Sequence, residues 1–306
     1  MPVHFLKINP EDSNARLDVF LAQHLPDMAS RSFVQKLNEA GFVRVNENLA
    51  KSNCRLVVGD DVHVDIPNNF LTPSYVAAEN IPLDIFYEDD YLLIVNKPSG
   101  MLVHPAQGFF TGTLVNALLH HCARLSDCNS SMPSSSMRAG IVHRLDKETS
   151  GLILVAKDNI THAKLAKQFQ RHVVKKKYLA LVEGEVPFDE GVINAPIGRN
   201  PVHREKKMVD FSDSARESKT FYKVIKRFQG NSLVALFPQT GRTHQLRVHM
   251  KYLHHPILGD DKYGERVTFP RLALHAQAIG FMHPKNNCFV EFSLRPPQEF
   301  LSKVAL

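Results

Sequence analysis

The chain has 306 residues, of which 43% are hydrophobic and 22% charged, a composition typical of a globular protein that argues against long disorder or a coiled coil. The formal net charge is +6; residues 1–82 carry −3 and the remainder +9, so we expect a polyanionic partner for the C-terminal part. The four cysteines show no zinc spacing, and no apolar run reaches membrane-helix length. We therefore expect a cytoplasmic monomer without a signal peptide, disulfide framework or membrane contact.

The first 66 residues have the pattern of a small αβ module. Apolar residues at spacings of three and four predict a helix over 16–25, and a second helix follows as far as Gly41. Alternating residues then predict three strands, over 42–46, 55–58 and 62–66. A segment with prolines and little periodicity comes next. The predicted organisation is a module at 14–67, a linker at 68–82 and a larger domain at 83–306.

The larger domain combines many short strands with single helices between them. This pattern predicts an α+β fold with a mixed, mostly antiparallel sheet and flanking helices, not a regular βαβ array. Residues 125–137 are rich in serine and predict a flexible loop. The predicted helices cover 113–121, 161–171 and 243–252, and the predicted strands cover 83–87, 91–96, 152–156, 178–183, 220–227, 232–237, 272–280 and 288–293.

The most informative stretch is residues 140–151, which contains Asp146 between Arg144 and Lys147 just before an apolar strand. Neighbouring cations favour the charged form of a carboxylate, so Asp146 is expected to be ionised at neutral pH. An ionised, positioned carboxylate can serve as a nucleophile or a base. On the residues alone, an ion pair that merely anchors a surface loop is an equally acceptable interpretation.

Four motifs in order resemble the RluA-type pseudouridine synthases. The stretch from His143 reads H-R-L-D-K-E-T-S-G, which is similar to the family signature around its catalytic aspartate. Residues 95–105 resemble the segment "NKP-G--VHP", and residues 177–184 resemble "K-Y-A-V-G". Residues 241–250 resemble "GRTHQIRVH" and continue to Asp260. The front module resembles an S4 RNA-binding domain, so the resemblance covers nearly the whole chain.

The resemblance implies a chemistry. Members of this family break the C1′–N1 bond of a uridine, rotate the uracil and rejoin it through C5, with no cofactor. Asp146 is then the essential carboxylate, which attacks C1′, adds to C6 of uracil or removes the C2′ proton. Tyr178 is expected to stack on the flipped base and assist deprotonation at C5. Arg247 is expected to pair with Asp146 and fix its rotamer, with the bidentate geometry that arginine provides.

Further residues follow from the same motifs and from charge. Extrusion of the target base costs a few kcal/mol, which binding along the RNA must offset. No metal site is expected, because the sixteen histidines form no H-E-x-x-H pattern. The expected substrate-binding residues are Arg144, His143, Thr149, His244 and Gln245. The expected RNA contacts are Arg31, Lys36 and Arg44 in the front module and Lys175, Lys176 and Lys177 beside Tyr178, with Arg171, His203, Arg204, Lys206 and Lys207 as further phosphate contacts.

Three interpretations of the target stay open. The stretch from Val103 to His120 resembles the RluD subgroup, which implies the helix 69 region of 23S rRNA, in the large subunit or its precursor. The front module also favours ribosomal RNA. A synthase for a tRNA loop is an alternative of the same class. A non-catalytic RNA-binding protein with a decayed synthase domain is an alternative of another class, although Asp146, Tyr178 and Arg247 are all present.

Overall fold

A computed structural model describes residues 3–25, 31–67, 76–106, 110–122, 139–203, 205–264 and 269–305. These form two compact units, one mainly of residues up to 76 and the other of residues from 77 onward. The serine-rich segment 125–137 and the predicted phosphate contact Arg204 lie outside the described residues. Within the described residues, no helix is long and apolar enough to cross a bilayer.

The first unit packs two helices on a small antiparallel sheet. Leu17, Phe20 and Leu21 of the first helix share one core with Val34 and Leu37 of the second and with strand residues. The strands lie in the order β1-β4-β2-β3. The elements are β1 (Val3–Lys7), α1 (Leu17–His24), α2 (Arg31–Glu39), β2 (Val43–Val45), β3 (Asn48–Leu49) and β4 (Asp61–Asp65).

Three details of this unit differ from the sequence-based prediction, the smallest of which is the two-residue strand β3, which was not predicted. Residues 55–58 are not a strand: Leu56 is buried and bonded to residues 14–15, but Val57 and Val58 are exposed, in a turn closed by the Asp60 carboxylate. Strand β1 was missed and lies before the predicted start of the module. It pairs with β4 through its backbone, and its side chains are at most half-buried, so its hydrophobic pattern is weak.

The second unit is built on a large mixed sheet. Described strands follow the order β5-β6-β7-β14-β8-β13-β12-β9, with β15 paired to β14, and β10 with β11 forms a separate hairpin. The β7–β14 pair is parallel and the other pairs are antiparallel. The strands are β5 (Ile85–Glu88), β6 (Leu92–Lys97), β7 (Ser150–Ala156), β8 (Lys175–Glu183), β9 (Glu190–Asn194), β10 (Ile197–Arg199), β11 (Lys207–Val209), β12 (Lys219–Phe228), β13 (Asn231–Pro238), β14 (Leu274–Met282) and β15 (Phe289–Ser293). The predicted α+β class with a mostly antiparallel sheet is confirmed.

Helices cover this sheet, and the first of them begins at a clear local signal. Helix α3 (Leu114–His121) begins at Thr113, whose side chain and backbone exchange hydrogen bonds with Asn116 in a capping box. The other helices are α4 (Asn159–Gln170), α5 (Gln245–Tyr252) and α6 (Gln298–Ala305). Leu165 of α4 is buried on one part of the sheet, and Leu246 and Met250 of α5 lie in the main core. Strands β9 to β11 and helix α6 were missed by the sequence patterns.

Residues 77–82, predicted as part of a linker, are held to the second unit. The side-chain amide of Asn116 donates to the Ala77 carbonyl at 2.8 Å, and the Asn116 carbonyl accepts from the Glu79 N–H at 2.9 Å. The Glu79 carboxylate in turn accepts from the Gly112 N–H at 3.1 Å. These bonds tie the segment to the start of α3.

Candidate active site

An open cleft of about 330 Å³ lies at the centre of the second unit. Its walls come from β14, β8 and β13, which are neighbours in the sheet, from the loops that precede β7 and α5, from the first turn of α5 and from the end of α4 with the residues after it. Three of the four sequence motifs therefore meet in one place. Among the described lining residues, Asp146 is the carboxylate; the cationic side chains are Arg144, Lys176, Arg242 and Arg247. Such a cleft favours a polyanionic ligand.

Backbone geometry fixes the loop that carries Asp146. The Thr149 N–H donates to the Asp146 carbonyl at 3.1 Å and closes a turn directly before β7. Gly151 has φ +110°, and a Cβ there would lie 2.3 Å from the Ala276 carbonyl oxygen of the parallel strand β14. Only glycine permits this conformation and this close approach. The loop therefore leaves the sheet at a fixed position.

Lys97 stabilises the same loop through hydrogen bonds, a role that the sequence patterns did not suggest. Its side chain is fully buried, and Nζ donates to the carbonyls of Pro98, Met101 and Lys147 at 2.7, 2.9 and 3.0 Å. Burial lowers the pKa of Lys97 to about 8. The neighbouring Ser99 hydroxyl donates to the Glu148 carbonyl at 2.7 Å. The "NKP" motif thus holds the Asp146 loop through backbone acceptors, whose identity no side-chain pattern reveals.

Arg247 reaches the cleft from α5, but its main partner is not the predicted one. Nε and Nη2 donate to the two oxygens of Asp260 at 2.7 and 2.6 Å, which is the bidentate geometry. The contact to Asp146 is a single approach of 3.7 Å from Nη1 to Oδ2. The predicted ion pair between Arg247 and Asp146 is therefore present, but the bidentate geometry expected for it is wrong, because the bidentate partner is Asp260. Arg247 faces Asp146 with its remaining nitrogen because Asp260 holds the other two.

Asp260 has the role of an anchor. It is buried, and its Oδ1 also accepts the backbone N–H groups of Lys262 and Tyr263 at 3.0 Å each. Burial alone would lower the pKa of Arg247, but the hydrogen bonds and charge of Asp260 outweigh it, so the pKa is raised. Arg247 is a permanent cation beside Asp146. A buried aspartate 13 positions after Arg247 gives no periodic signal, so sequence reasoning assigned it no role.

Tyr178 and Lys176 point into the cleft from alternate positions of β8. Burial, and then the charge of Asp146, raise the pKa of Tyr178, so its phenol is protonated at neutral pH. Burial lowers the pKa of Lys176 to about 8. Lys175 lies over the ring of Phe289, 4.9 Å from its centroid, outside the lining of the cleft. The lysine run is therefore divided by the alternation of the strand, and Lys176 is the member that lines the cleft.

Two of the predicted substrate-binding residues use their polar groups inside the protein. His143 accepts the Leu154 N–H at Nε2 (2.9 Å) and stacks on Phe169, and burial lowers the pKa of His143 to about 3. The Gln245 amide accepts from the Thr240 hydroxyl and the Arg242 N–H, and donates to the Lys219 carbonyl and the Thr220 hydroxyl. All four of its hydrogen-bonding positions are occupied. Gln245 therefore holds the loop at 240–242, whereas a direct substrate contact was expected.

The other three predicted substrate-binding residues line the cleft differently. Arg144 is exposed, and Thr149 is buried at the end of the Asp146 loop. His244 begins α5 in the left-handed conformation, with φ 58°, and its Nδ1 lies 2.8 Å from the Tyr263 hydroxyl. Burial lowers the pKa of His244, so the ring is neutral at pH 7.

The residues predicted to bind RNA in the first unit lie near the surface. Arg31 is exposed and donates to the buried Asp18 carboxylate at 3.2 Å, which also takes bonds from Arg16 and Gln35. Lys36 and Arg44 are exposed on α2 and β2. One of the hydrogen-bond donors of Arg31 is therefore used within its own unit.

A cluster with metal-binding residue types occurs elsewhere. Ligand atoms of Glu88, His121 and Cys122 lie within 4.8 Å of one another. The Glu88 carboxylate is already paired with Lys157 and with His121, both at 2.9 Å. The cluster has the composition of an ion-pair network at the end of α3.

Comparisons with known proteins agree with one another. A family model described as RNA pseudouridylate synthase matches residues 91–252. A Bacillus subtilis protein named uncharacterized RNA pseudouridine synthase YlyB is 45% identical over 291 residues, which cover 94% of this chain and 93% of that protein. The ribosomal large subunit pseudouridine synthase D of Zymomonas mobilis is 38% identical over 98% of this chain and 96% of its own length.

A solved structure is similar as well. Human RNA pseudouridylate synthase domain containing 1 superposes with a TM-score of 0.59 and 28% identity, over 74% of this chain and 88% of that chain. The likeness therefore extends from sequence to the arrangement of the sheet.

Proposed function

The chain belongs to the RNA pseudouridine synthase family and converts uridine in RNA to pseudouridine, and from this premise we propose that Asp146 is its catalytic carboxylate and large-subunit ribosomal RNA its substrate. One observation supports the assignment of Asp146. Asp146 is the carboxylate of a cleft otherwise lined by cations and neutral groups, on a loop braced by Lys97 and Gly151. The reaction needs no other reactant. The C1′–N1 bond breaks and a C1′–C5 bond forms, while C5 loses a proton and N1 gains one.

Arg247 supports this role as a positioning residue. With two donors committed to Asp260, its third nitrogen faces the Asp146 carboxylate at 3.7 Å. This arrangement keeps a positive charge beside Asp146 without occupying it by a tight bidentate bond. Its oxygens stay accessible to a ribose or a uracil in the cleft, whichever of the three first steps is taken.

Tyr178 supplies a surface and not a base in this proposal. A group that removes a proton must first have lost its own, and the raised pKa keeps the phenol protonated at neutral pH. The ring lines the cleft, where stacking on an extruded base would offset part of the cost of unstacking it. Deprotonation at C5 then falls to another acceptor, such as water or the Asp146 carboxylate.

The ribosomal target rests on relatives and on charge. The Zymomonas mobilis relative aligned over nearly the whole chain is named a large-subunit enzyme. The first unit has exposed cations on α2 and β2, which fits the proposed S4-type RNA-binding module at 14–67. In this proposal the first unit contributes affinity for RNA, and the second unit catalyses the isomerisation. The predictions of a cytoplasmic setting and of a monomer remain part of this proposal.

Isomerisation is tested by tritium release from large-subunit ribosomal RNA transcribed with 5-tritiated uridine. Asp146→Asn should lower the single-turnover rate by at least about 10³-fold, the scale of losing a catalytic group, and leave RNA affinity within about threefold. The matched control is Asp189→Asn, an exposed carboxylate outside the cleft lining, which should retain wild-type rates. A rate of Asp146→Asn within tenfold of wild type would refute the assignment.

The target is tested by mapping pseudouridine in total RNA from cells with and without the gene. Loss of one or more sites in large-subunit ribosomal RNA is the expected result, with restoration by the wild-type gene but not by Asp146→Asn. Sites lost only from transfer RNA would contradict the ribosomal assignment, whereas the assignment as a pseudouridine synthase would stand. An unchanged map together with no tritium release would favour a non-catalytic RNA-binding protein.

A further inference from the structure

A second cavity, of about 380 Å³, lies on another face of α5. Its walls come from the β10–β11 hairpin, the C-terminal half of α5 and the segment that follows Asp261. We call it the hairpin pocket. Leu246 and Arg247 line the active cleft, whereas Val248, Lys251 and Tyr252 line the hairpin pocket, so the one helix contributes to both.

The hairpin pocket combines an apolar floor with a basic rim. The floor contains Val248 and Val209, which pack together, and Tyr252, whose side chain is 47% exposed. The rim carries the lysines at 206, 207, 251 and 262, and no carboxylate occurs among the described residues of its lining. Flat apolar surface beside clustered ammonium groups matches a nucleotide, because a base stacks on aromatic rings and its phosphate pairs with the lysines.

Tyr263 connects this pocket with the active cleft. Its ring belongs to the pocket wall, and the Arg247 guanidinium lies over it at 5.1 Å from the centroid. Its hydroxyl accepts the Lys207 N–H at 2.8 Å and bonds His244, which lines the cleft, at 2.8 Å. The two cavities are thus separated by the Tyr263–His244 wall. A strand of RNA with its target base in the cleft would bring a nearby nucleotide to the hairpin pocket.

We propose that the hairpin pocket is a second nucleotide-binding subsite, which takes a base of the RNA close to the target uridine by stacking on Tyr252 and holds its phosphate with Lys206 and Lys262. This inference rests on the proposed function for the presence of RNA in the cleft. The hairpin pocket does not bind a separate partner. It binds the RNA strand that occupies the active cleft, on another face of α5.

The test measures binding, independently of turnover. Fluorescently labelled large-subunit ribosomal RNA fragments are titrated with wild-type protein, Tyr252→Ala and the double variant Lys206→Ala/Lys262→Ala at several salt concentrations. Tyr252→Ala should raise Kd about 5- to 150-fold, the range for a lost base stack. The double lysine variant should reduce the slope of log K against log salt by about 1.4, since each single-strand phosphate contact contributes about 0.7.

Matched controls separate the pocket from general charge and surface effects. Phe188→Ala removes an exposed aromatic ring, and Lys223→Ala/Lys303→Ala removes two lysines outside both cavity linings. Both controls should bind as wild type does. Tyr252 and the two lysines are partly exposed, so their substitution should leave the fold intact. Circular dichroism of each variant checks this. Pocket variants that fold and bind RNA like the controls would overturn the proposal.

A second arm distinguishes RNA from a free nucleotide with the same chemistry. Uridine 5′-monophosphate and adenosine 5′-monophosphate are titrated into wild-type protein and Tyr252→Ala. A Kd no tighter than millimolar, together with the RNA effects above, supports an RNA subsite. Micromolar mononucleotide binding that Tyr252→Ala abolishes, with RNA affinity unchanged, would overturn it in favour of a small-molecule site. Failure of the proposed function shows separately, as wild-type protein that binds these RNAs without forming pseudouridine.

Discussion

Substitution of Asp260 by Asn tests how the active cleft is held together. Asp260 gives the Arg247 guanidinium its two short bonds, of 2.6 and 2.7 Å, and both side chains are at least 95% buried. Asn keeps the shape and one carbonyl acceptor but removes the negative charge. Asp146, by contrast, touches Arg247 once, at 3.7 Å, and its side chain is 23% exposed. Substitution by Asn should therefore affect stability at Asp260 much more than at Asp146.

The difference in stability follows from burial. A buried ion pair that loses one partner costs about 3–5 kcal/mol, because the other charge stays uncompensated. Asp261, whose carboxylate lies 3.3 Å from Arg247 and is largely exposed, should compensate partly, so we expect about 3 kcal/mol for Asp260→Asn. At roughly 2–4 °C per kcal/mol for a domain of this size, the melting temperature falls by about 6–12 °C. Asp146→Asn should cost less than about 1 kcal/mol, since its contact is partly solvated.

Thermal unfolding followed by circular dichroism, and tritium release, give the two readouts. Asp260→Asn should lower both the melting temperature and, by about 10- to 100-fold through a displaced Arg247, the rate. Asp146→Asn should lower the rate alone. Double-mutant cycles with Arg247→Ala complete the test, because the coupling free energy to Asp260 must exceed that to Asp146. An equal or larger coupling to Asp146, or an unchanged melting temperature of Asp260→Asn, would refute this account.

Three further results are expected. Lys97→Met should destabilise the folded chain by about 1–3 kcal/mol in urea unfolding, since it leaves the backbone acceptors near Asp146 without their donor; an unchanged midpoint would contradict the brace. RNA affinity of the wild type should fall as the pH rises through about 8, where Lys176 loses its proton, and Lys176→Arg should remove that part of the pH dependence in filter binding at constant ionic strength; the same pH dependence in both proteins would exclude Lys176 as the titrating group. A chain that starts at Ala77 should fold and isomerise uridine with a raised KM, whereas one that starts at Leu83 should melt lower because Asn116 loses its bonds to residues 77–79; equal melting temperatures would show that these bonds contribute little.

Local chemistry explains what the sequence predicted well. The helix predicted over 113–121 begins at Thr113, where the structure forms a capping box with Asn116, and the apolar run before Ala156 forms a central strand. The turn around Thr149 and Gly151 is a property of neighbouring residues. The pattern of short strands and single helices predicted the α+β class, and the continuous family motifs pointed to Asp146 and Tyr178, both of which line the cleft.

Patterns failed where burial and pairing depend on distant residues. Val57 and Val58 are apolar like strand residues but lie exposed in a turn, because Leu56 pairs with residues 14–15 and Asp60 closes the chain behind it. Strand β1 has weak periodicity and exists through backbone bonds to β4, far along the chain, whereas β10 and β11 are short strands that pair locally and carry too few residues for a clear pattern.

The sequence by itself determined the family and the type of reaction and marked Asp146 as the proposed catalytic carboxylate, since these features reside in contiguous motifs. Only the tertiary structure decided which groups hold that carboxylate. Arg247 makes its bidentate pair with Asp260 and only a single, longer contact with Asp146, and Lys97 donates to three backbone carbonyls, one of them 50 residues away at Lys147. A buried charge takes whichever acceptors the packed core brings within reach, and that geometry is fixed by the order of strands in the sheet, not by spacing along the chain.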